Sequence, residues 1–126
     1  MTTTPANKTT LVMGASEEPT RFANRAQIQL QQHGIPVVLV SPKYKTINGV
    51  TVKQSLNEVS ESIDTVTVYV RPEILESSLN AIIHLAPRRL IFNPGTESNE
   101  LQKRLINSDI EVINDCTLVM LSENRY

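Results

Sequence analysis

A short apolar segment that ends in a glycine constrains this chain most. Residues 10–13 read Thr-Leu-Val-Met, Gly14 follows at once, and a helical pattern begins several residues later. A strand that turns through glycine into a helix directs backbone N–H groups and the positive end of the helix dipole at one spot, which attracts phosphate. The segment therefore predicts a nucleotide site at this first turn, with the phosphates near Gly14, Ala15 and Ser16.

The end of the second apolar segment narrows the choice of nucleotide. Residues 36–40 are apolar, and Ser41, Pro42 and Lys43 follow them. NAD-binding versions of this unit carry an Asp or Glu here, which accepts hydrogen bonds from the ribose hydroxyls. A lysine at the same place attracts an additional phosphate instead. The pattern predicts a phosphorylated ADP as the ligand rather than plain NAD.

Length and charge exclude several classes of protein. The chain has 126 residues and a formal net charge of −1, which fits one domain and gives no sign of a nucleic-acid surface or a basic membrane anchor. No apolar run is long enough to span a membrane, and residues 1–8 do not resemble a signal segment, so we expect a cytoplasmic protein. The one cysteine, Cys116, excludes an internal disulfide and cannot form a metal site by itself.

Strand and helix patterns alternate along the chain, which favours right-handed crossovers and a parallel sheet. The predicted fold is α/β, a Rossmann-like three-layer sandwich with a parallel sheet of about five strands. Residues 44–56 contain a tight-turn signal at 47–50 and are predicted to embellish one crossover. The strands are expected at residues 10–13, 36–40, 65–70, 88–92 and 110–113, and the helices at 21–33, 73–85 and 97–107.

In such a sheet the ligand binds beyond the carboxyl ends of the strands, which nominates the loops at residues 14–21, 41–45, 70–73 and 93–97. Arg21 begins a helix and opposes its dipole, so an anion is expected beside it. Glu17 and Glu18 are expected to point to water. Arg88 and Arg89 begin a strand at the opposite end of the sheet and are expected to be surface charges.

Two further candidates have alternative interpretations. Asn93, Pro94 and Gly95 contact the ligand or form only a strand-to-helix turn, with Thr96 as the N-cap of the next helix. Cys116 is a small apolar filler, or its thiol lies near a helix start that favours the thiolate. The sequence leaves both pairs of interpretations open.

Five motifs in order resemble those of the single-domain CoA-binding protein family, which is related in fold to the CoA-binding domain of the succinyl-CoA synthetase α subunit. They are Gly14-Ala15-Ser16 with Arg21 and Asn24, Ser41-Pro42-Lys43, and the segments 64–72, 88–97 and 115–121. The resemblance covers residues 9–121 and leaves 1–8 and 122–126 as tails. It implies a domain that binds coenzyme A, and the resulting candidate binding residues are Gly14, Ala15, Ser16, Arg21, Asn24, Pro42, Lys43, Val70, Pro72, Asn93, Pro94, Gly95 and Cys116.

Three functions are compatible with these observations. The first is a module that binds coenzyme A or acyl-CoA and catalyses no reaction of its own, since no catalytic constellation is visible. The second is an NADP-binding, oxidoreductase-like protein, although the loop after Gly14 lacks the second and third glycines of the G-x-G-x-x-G fingerprint. The third is a redox or interaction protein that acts through Cys116. A protein partner and a homodimer are both left open.

Overall fold

Seven strands form one sheet in the computed structural model, which describes residues 8–126. Their order across the sheet is β3-β4-β2-β1-β5-β6-β7, and all neighbouring strands are parallel except β3 and β4, which are antiparallel to each other. The predicted α/β fold with a parallel sheet is confirmed, with two more strands than expected. The strands are β1 (Thr10–Met13), β2 (Val37–Val40), β3 (Thr46–Ile47), β4 (Val50–Lys53), β5 (Thr65–Val68), β6 (Arg89–Phe92) and β7 (Glu111–Asn114).

Four α-helices cover the two faces of this sheet. Alternate residues of β1 face opposite ways, so Leu11 and Met13 pack in an apolar cluster with Leu75 and Leu79. Val12 packs in a second cluster, which includes Leu30 of the first helix. One apolar core lies on each face of the sheet, so the sheet and the helices on its two sides form three layers. The helices are α1 (Phe22–Gln32), α2 (Pro72–Leu85), α3 (Asn99–Ile106) and α4 (Thr117–Ser122), and Leu56–Glu58 forms a short 3-10 helix.

The two additional strands come from the segment that was predicted to embellish a crossover. Asn48 and Gly49 both have positive φ angles, 50° and 79°, which suits the tight turn of a hairpin. The hairpin extends the sheet because β4 pairs with β2 in parallel. The Gln27 side chain donates to the carbonyl of Ile47 at 3.3 Å and fastens β3 to α1.

The C-terminal end of the chain closes one face of the sheet. Residues 117–122, where no helix was predicted, form α4, and Tyr126 packs against the second apolar cluster. The expectation of a surface charge is wrong for Arg89, whose side chain points to this face and is buried under Tyr126. Arg88 points the other way, remains largely exposed and pairs with Asp64 at 2.9 Å.

The chain reverses its direction across the sheet between β1 and β5. From β1 it proceeds outward to β2 and β4, and then it returns to the other side of β1 as β5 and continues to β7. Ligands of open α/β sheets bind at such a reversal. Residues 1–7, most of the predicted N-terminal tail, lie outside the described residues. In residues 8–126 no helix is long and apolar enough to cross a membrane.

Candidate functional site

A crevice of about 710 Å³ opens at the point of reversal, a size within the usual range for small-molecule sites. Its walls come from the loops that follow β1, β2, β5 and β6. These are the four loops that the sequence nominates, so the topology brings them together as expected. A second crevice of about 880 Å³ lies at the amino ends of the strands, beside Asp64 and Arg88, and contains none of the predicted site residues.

The loops after β1 and β5 touch each other at Gly14. Its φ of +90° lies in the region that side-chain-bearing residues rarely adopt. A β-carbon built there would lie 2.7 Å from Val70 Cγ1 and 3.0 Å from the Tyr69 carbonyl oxygen. Only glycine therefore permits this turn, and anything bound against the first loop also lies beside the loop after β5.

The backbone of the first loop is partly committed to the fold. The N–H groups of Gly14 and Ala15 both donate to the carbonyl of Val40, at 3.0 and 3.2 Å. Ser16 differs, because its hydroxyl accepts a hydrogen bond from the N–H of Glu18 at 3.1 Å and retains its own proton to donate. Among the three predicted residues of this loop, Ser16 therefore has a side-chain donor that is not committed to the fold, whereas Gly14 and Ala15 shape the wall.

Two helices begin at the crevice without side-chain caps. Arg21 precedes α1 and Arg71 precedes α2, and neither side chain bonds the orphan N–H groups of its helix. Helix α3 has a conventional start, where Ser98 accepts a hydrogen bond from the N–H of Leu101 at 3.2 Å. The expectation of Thr96 as that N-cap is wrong, because its hydroxyl donates to the Asn93 carbonyl at 2.7 Å instead.

Cations outnumber carboxylates on the crevice wall, where Arg21, Lys43 and Arg71 face a single glutamate. Arg21 pairs with that glutamate, Glu18, at 3.3 Å, and both side chains are well exposed. Glu17 and Glu18 are both exposed, as expected. Lys43 and Arg71 have no carboxylate within 4 Å among the described residues. An anionic ligand would therefore meet a positive surface.

Nine of the thirteen sequence-predicted residues line the crevice, and four do not. Asn24 is buried and donates to the Ser16 carbonyl at 2.9 Å, which fixes the first loop. Pro72 is the first residue of α2. The nine lining residues are Gly14, Ala15, Ser16, Arg21, Pro42, Lys43, Val70, Pro94 and Gly95.

Asn93 and Cys116 are the other two that do not line the crevice. Asn93 is 1% exposed, and its amide donates to Thr67 Oγ1 at 2.7 Å and to the Val68 carbonyl at 2.9 Å. Its side-chain oxygen accepts the N–H of Thr117 at 2.9 Å, so Asn93 joins β5 to the start of α4. Cys116 is partly buried and immediately precedes α4, and its N–H donates to Asp115 at 2.7 Å.

Several lining residues were not predicted. Phe22 begins α1 and Ile74 lies in the first turn of α2; they remain 62% and 44% exposed and give the crevice an apolar rim. Tyr69 also lines it, and its hydroxyl is buried beside Thr67 and Thr117 without a hydrogen bond of good geometry in residues 8–126. Burial raises the pKa of Tyr69 to about 12. The available signal was position, since each of these residues borders a nominated loop.

Comparison with known proteins identifies the family. A family model described as "CoA binding domain" matches residues 8–122, and no curated protein sequence matches the chain. The crystal structure of an uncharacterized protein is similar, with 41% identity, a TM-score of 0.90, and coverage of 94% of this chain and 98% of that one. No group of three or more His, Cys, Asp or Glu residues in the described part of the chain could hold a metal ion.

Two other solved structures are also similar. A protein from Thermus thermophilus shares 26% identity at a TM-score of 0.86, with 94% of this chain and 90% of that chain covered. A hypothetical protein from Pyrococcus horikoshii OT3 shares 26% identity at a TM-score of 0.85, with 94% and 83% covered. The resemblance inferred from the five motifs is confirmed, and this chain belongs to the CoA-binding domain family.

Proposed function

We propose that this protein binds coenzyme A or an acyl-CoA in the crevice at the carboxyl ends of β1, β2, β5 and β6. The observation that carries the proposal is the crevice itself. It gathers the four nominated loops, the uncapped start of α1 and an excess of cations at the reversal of the sheet. Membership of the CoA-binding domain family supports the same ligand.

The diphosphate lies against Ser16 and the start of α1. The helix has unbonded N–H groups there, and its dipole favours negative charge. The Ser16 hydroxyl adds a donor, whereas the N–H groups of Gly14 and Ala15 are already bonded to Val40. This arrangement replaces the glycine-rich approach of the G-x-G-x-x-G fingerprint, which the chain lacks.

Lys43 binds the 3′-phosphate of the CoA ribose. It follows β2, where the N–H of Lys43 bonds the Ser41 hydroxyl at 3.2 Å and holds the turn. A charge-assisted hydrogen bond contributes about 1.5 to 3 kcal/mol, which is about ten- to hundredfold in affinity. Coenzyme A should therefore bind more tightly than 3′-dephospho-CoA.

The domain acts as a binding module without a reaction of its own. The ionisable side chains that line the crevice within residues 8–126 are Glu18, Arg21, Lys43, Tyr44, Tyr69 and Arg71. Glu18 is engaged with Arg21, and the Tyr69 hydroxyl is buried. This set offers phosphate-binding groups and lacks the paired acid and nucleophile that covalent chemistry requires.

Titration calorimetry and thermal unfolding with four ligands test this function. We expect heat and an increased melting temperature with coenzyme A, a weaker response to 3′-dephospho-CoA, and little response to NADP or NAD. Lys43→Ala should abolish the preference for coenzyme A, and Lys103→Ala, which removes an exposed lysine of α3, should retain it. Absence of binding at millimolar coenzyme A, or tighter binding of NADP, contradicts the proposal.

A further inference from the structure

Arg71 was not predicted as a site residue, yet it lines the crevice. We propose that Arg71 is a specificity-determining residue, which binds the diphosphate of the ligand and makes the site selective for a diphosphate ester over its unphosphorylated arm. The inference rests on the proposed function, because it assigns a role within the same crevice.

The contact between the first loop and the loop after β5 places Arg71 beside the diphosphate position. Strands β1 and β5 are neighbours, and the N–H of Tyr69 bonds the Met13 carbonyl at 2.9 Å just beyond them. Val70 then lies so close to Gly14 that a β-carbon added there would be 2.7 Å from Val70 Cγ1. Arg71 is the next residue, so a phosphate held at Ser16 has this guanidinium on its β5 side.

The electrostatic setting of Arg71 favours an anion. It immediately precedes α2, a helix of 14 residues, so its positive charge lies at the positive end of the helix dipole. Glu18 partly neutralises Arg21 at the corresponding place before α1. Arg71 has no such carboxylate within 4 Å among residues 8–126. Arg71 is therefore less neutralised than Arg21 and should attract phosphate more strongly.

Arg71 and Lys43 occupy opposite sides of the first loop. Strand β1 lies between β2, which leads to Lys43, and β5, which leads to Arg71. Lys43 therefore binds the 3′-phosphate, and Arg71 binds the diphosphate. A guanidinium suits the second role, because its planar donors can bond two phosphate oxygens at once.

Affinity measurements on Arg71→Ala and Arg71→Lys, with coenzyme A, 3′-dephospho-CoA and pantetheine, separate these roles. We expect Arg71→Ala to weaken coenzyme A and 3′-dephospho-CoA by the same factor, about ten- to hundredfold, and to leave pantetheine binding unchanged. Arg71→Lys should fall between the two. Arg104→Ala serves as the matched control, since it removes the same charge from an exposed position on α3 and should change little.

Each other result overturns the inference in a recognisable way. Unchanged coenzyme A affinity in Arg71→Ala excludes the role, and a loss confined to coenzyme A shows that Arg71 reads the 3′-phosphate instead. An equal loss of pantetheine binding shows a general disturbance of the crevice. If the wild-type protein binds neither coenzyme, the proposed function itself fails, which is distinguishable because no variant is needed to see it.

Discussion

The guanidinium of Arg89 lies over the ring of Tyr126, with its carbon 4.3 Å from the ring centre. Arg89 is 5% exposed, its Nε donates to Thr65 Oγ1 at 2.8 Å, and its Nη2 has no hydrogen-bond partner within residues 8–126. The Tyr126 hydroxyl in turn bonds Thr10. With no carboxylate within 4 Å of it in residues 8–126, this buried cation relies on the face of an aromatic ring, and Tyr126 thereby supports the sheet.

Replacement of Tyr126 should destabilise the protein. Tyr126→Ala removes the cation–π contact and the packing on Arg89, and we expect a loss of about 2 kcal/mol in the free energy of unfolding. Tyr126→Phe keeps the ring on Arg89 but removes the hydroxyl, which bonds Thr10 and lies near Thr65, and should cost about 1 kcal/mol. Urea unfolding monitored by circular dichroism measures both. Ser122→Ala, an exposed change nearby, should be nearly neutral, and equal stability of Tyr126→Ala and wild type would contradict the supporting role.

A β-carbon at Gly14 should be costly because of crowding as well as backbone strain. Gly14→Ala places that carbon 2.7 Å from Val70 Cγ1 and 3.0 Å from a backbone oxygen that cannot rotate away. Gly49→Ala is the matched control, because its φ is also positive, at 79°, but its β-carbon would meet nothing within 4 Å. Strain alone should cost about 1 to 2 kcal/mol in each variant, and overpacking should add about 1 to 3 kcal/mol at Gly14. Equal melting temperatures for the two variants would exclude the close approach.

Prediction from sequence succeeded where one local pattern determines the structure and failed where distant residues decide. The β-branched run at Thr65–Val68 and the proline that starts α2 specify their elements by themselves. The role of Asn93 depends on Thr67 and Thr117, which come from two other elements. Burial of Arg89 depends on Tyr126, 37 positions away in the chain. Arg89 was predicted to be on the surface because no residue near it in the sequence indicates that Tyr126 covers its side chain.

Asn93 should be essential for stability rather than for direct ligand contact. Asn93→Ala leaves the Thr117 N–H and the Val68 carbonyl unpaired in the interior, and we expect a loss of about 3 kcal/mol. Asn93→Asp should be at least as damaging, because a carboxylate would oppose the Val68 carbonyl and introduce an unpaired buried charge. Thermal unfolding measures both effects. A variant with wild-type stability but abolished coenzyme A binding would instead show that Asn93 contacts the ligand.

Tyr69 should make stability fall in alkaline solution. Its folded pKa is about 12 against an ordinary value of 10.0, and burial of the hydroxyl is the main cause. Between pH 10 and pH 12 the Tyr69 hydroxyl ionises in the unfolded chain but keeps its proton in the folded protein. The free energy of unfolding is therefore unaffected by this group below pH 10 and falls as the pH rises through 12. The shift corresponds to about 2 to 3 kcal/mol. Burial also raises the pKa of Tyr126, which adds a decline of the same sign in every variant that retains it.

Tyr69→Phe isolates this contribution. At neutral pH the variant should differ from wild type by no more than about 1 kcal/mol, because the hydroxyl that it removes is buried beside Thr67 and Thr117 without a hydrogen bond of good geometry. On alkaline titration its free energy of unfolding should fall less steeply than that of wild type. Urea unfolding across the alkaline range provides the comparison, and ultraviolet absorbance of tyrosinate follows the titration directly. Parallel pH profiles for the two proteins would show that Tyr69 ionises with an ordinary pKa and that its hydroxyl reaches water.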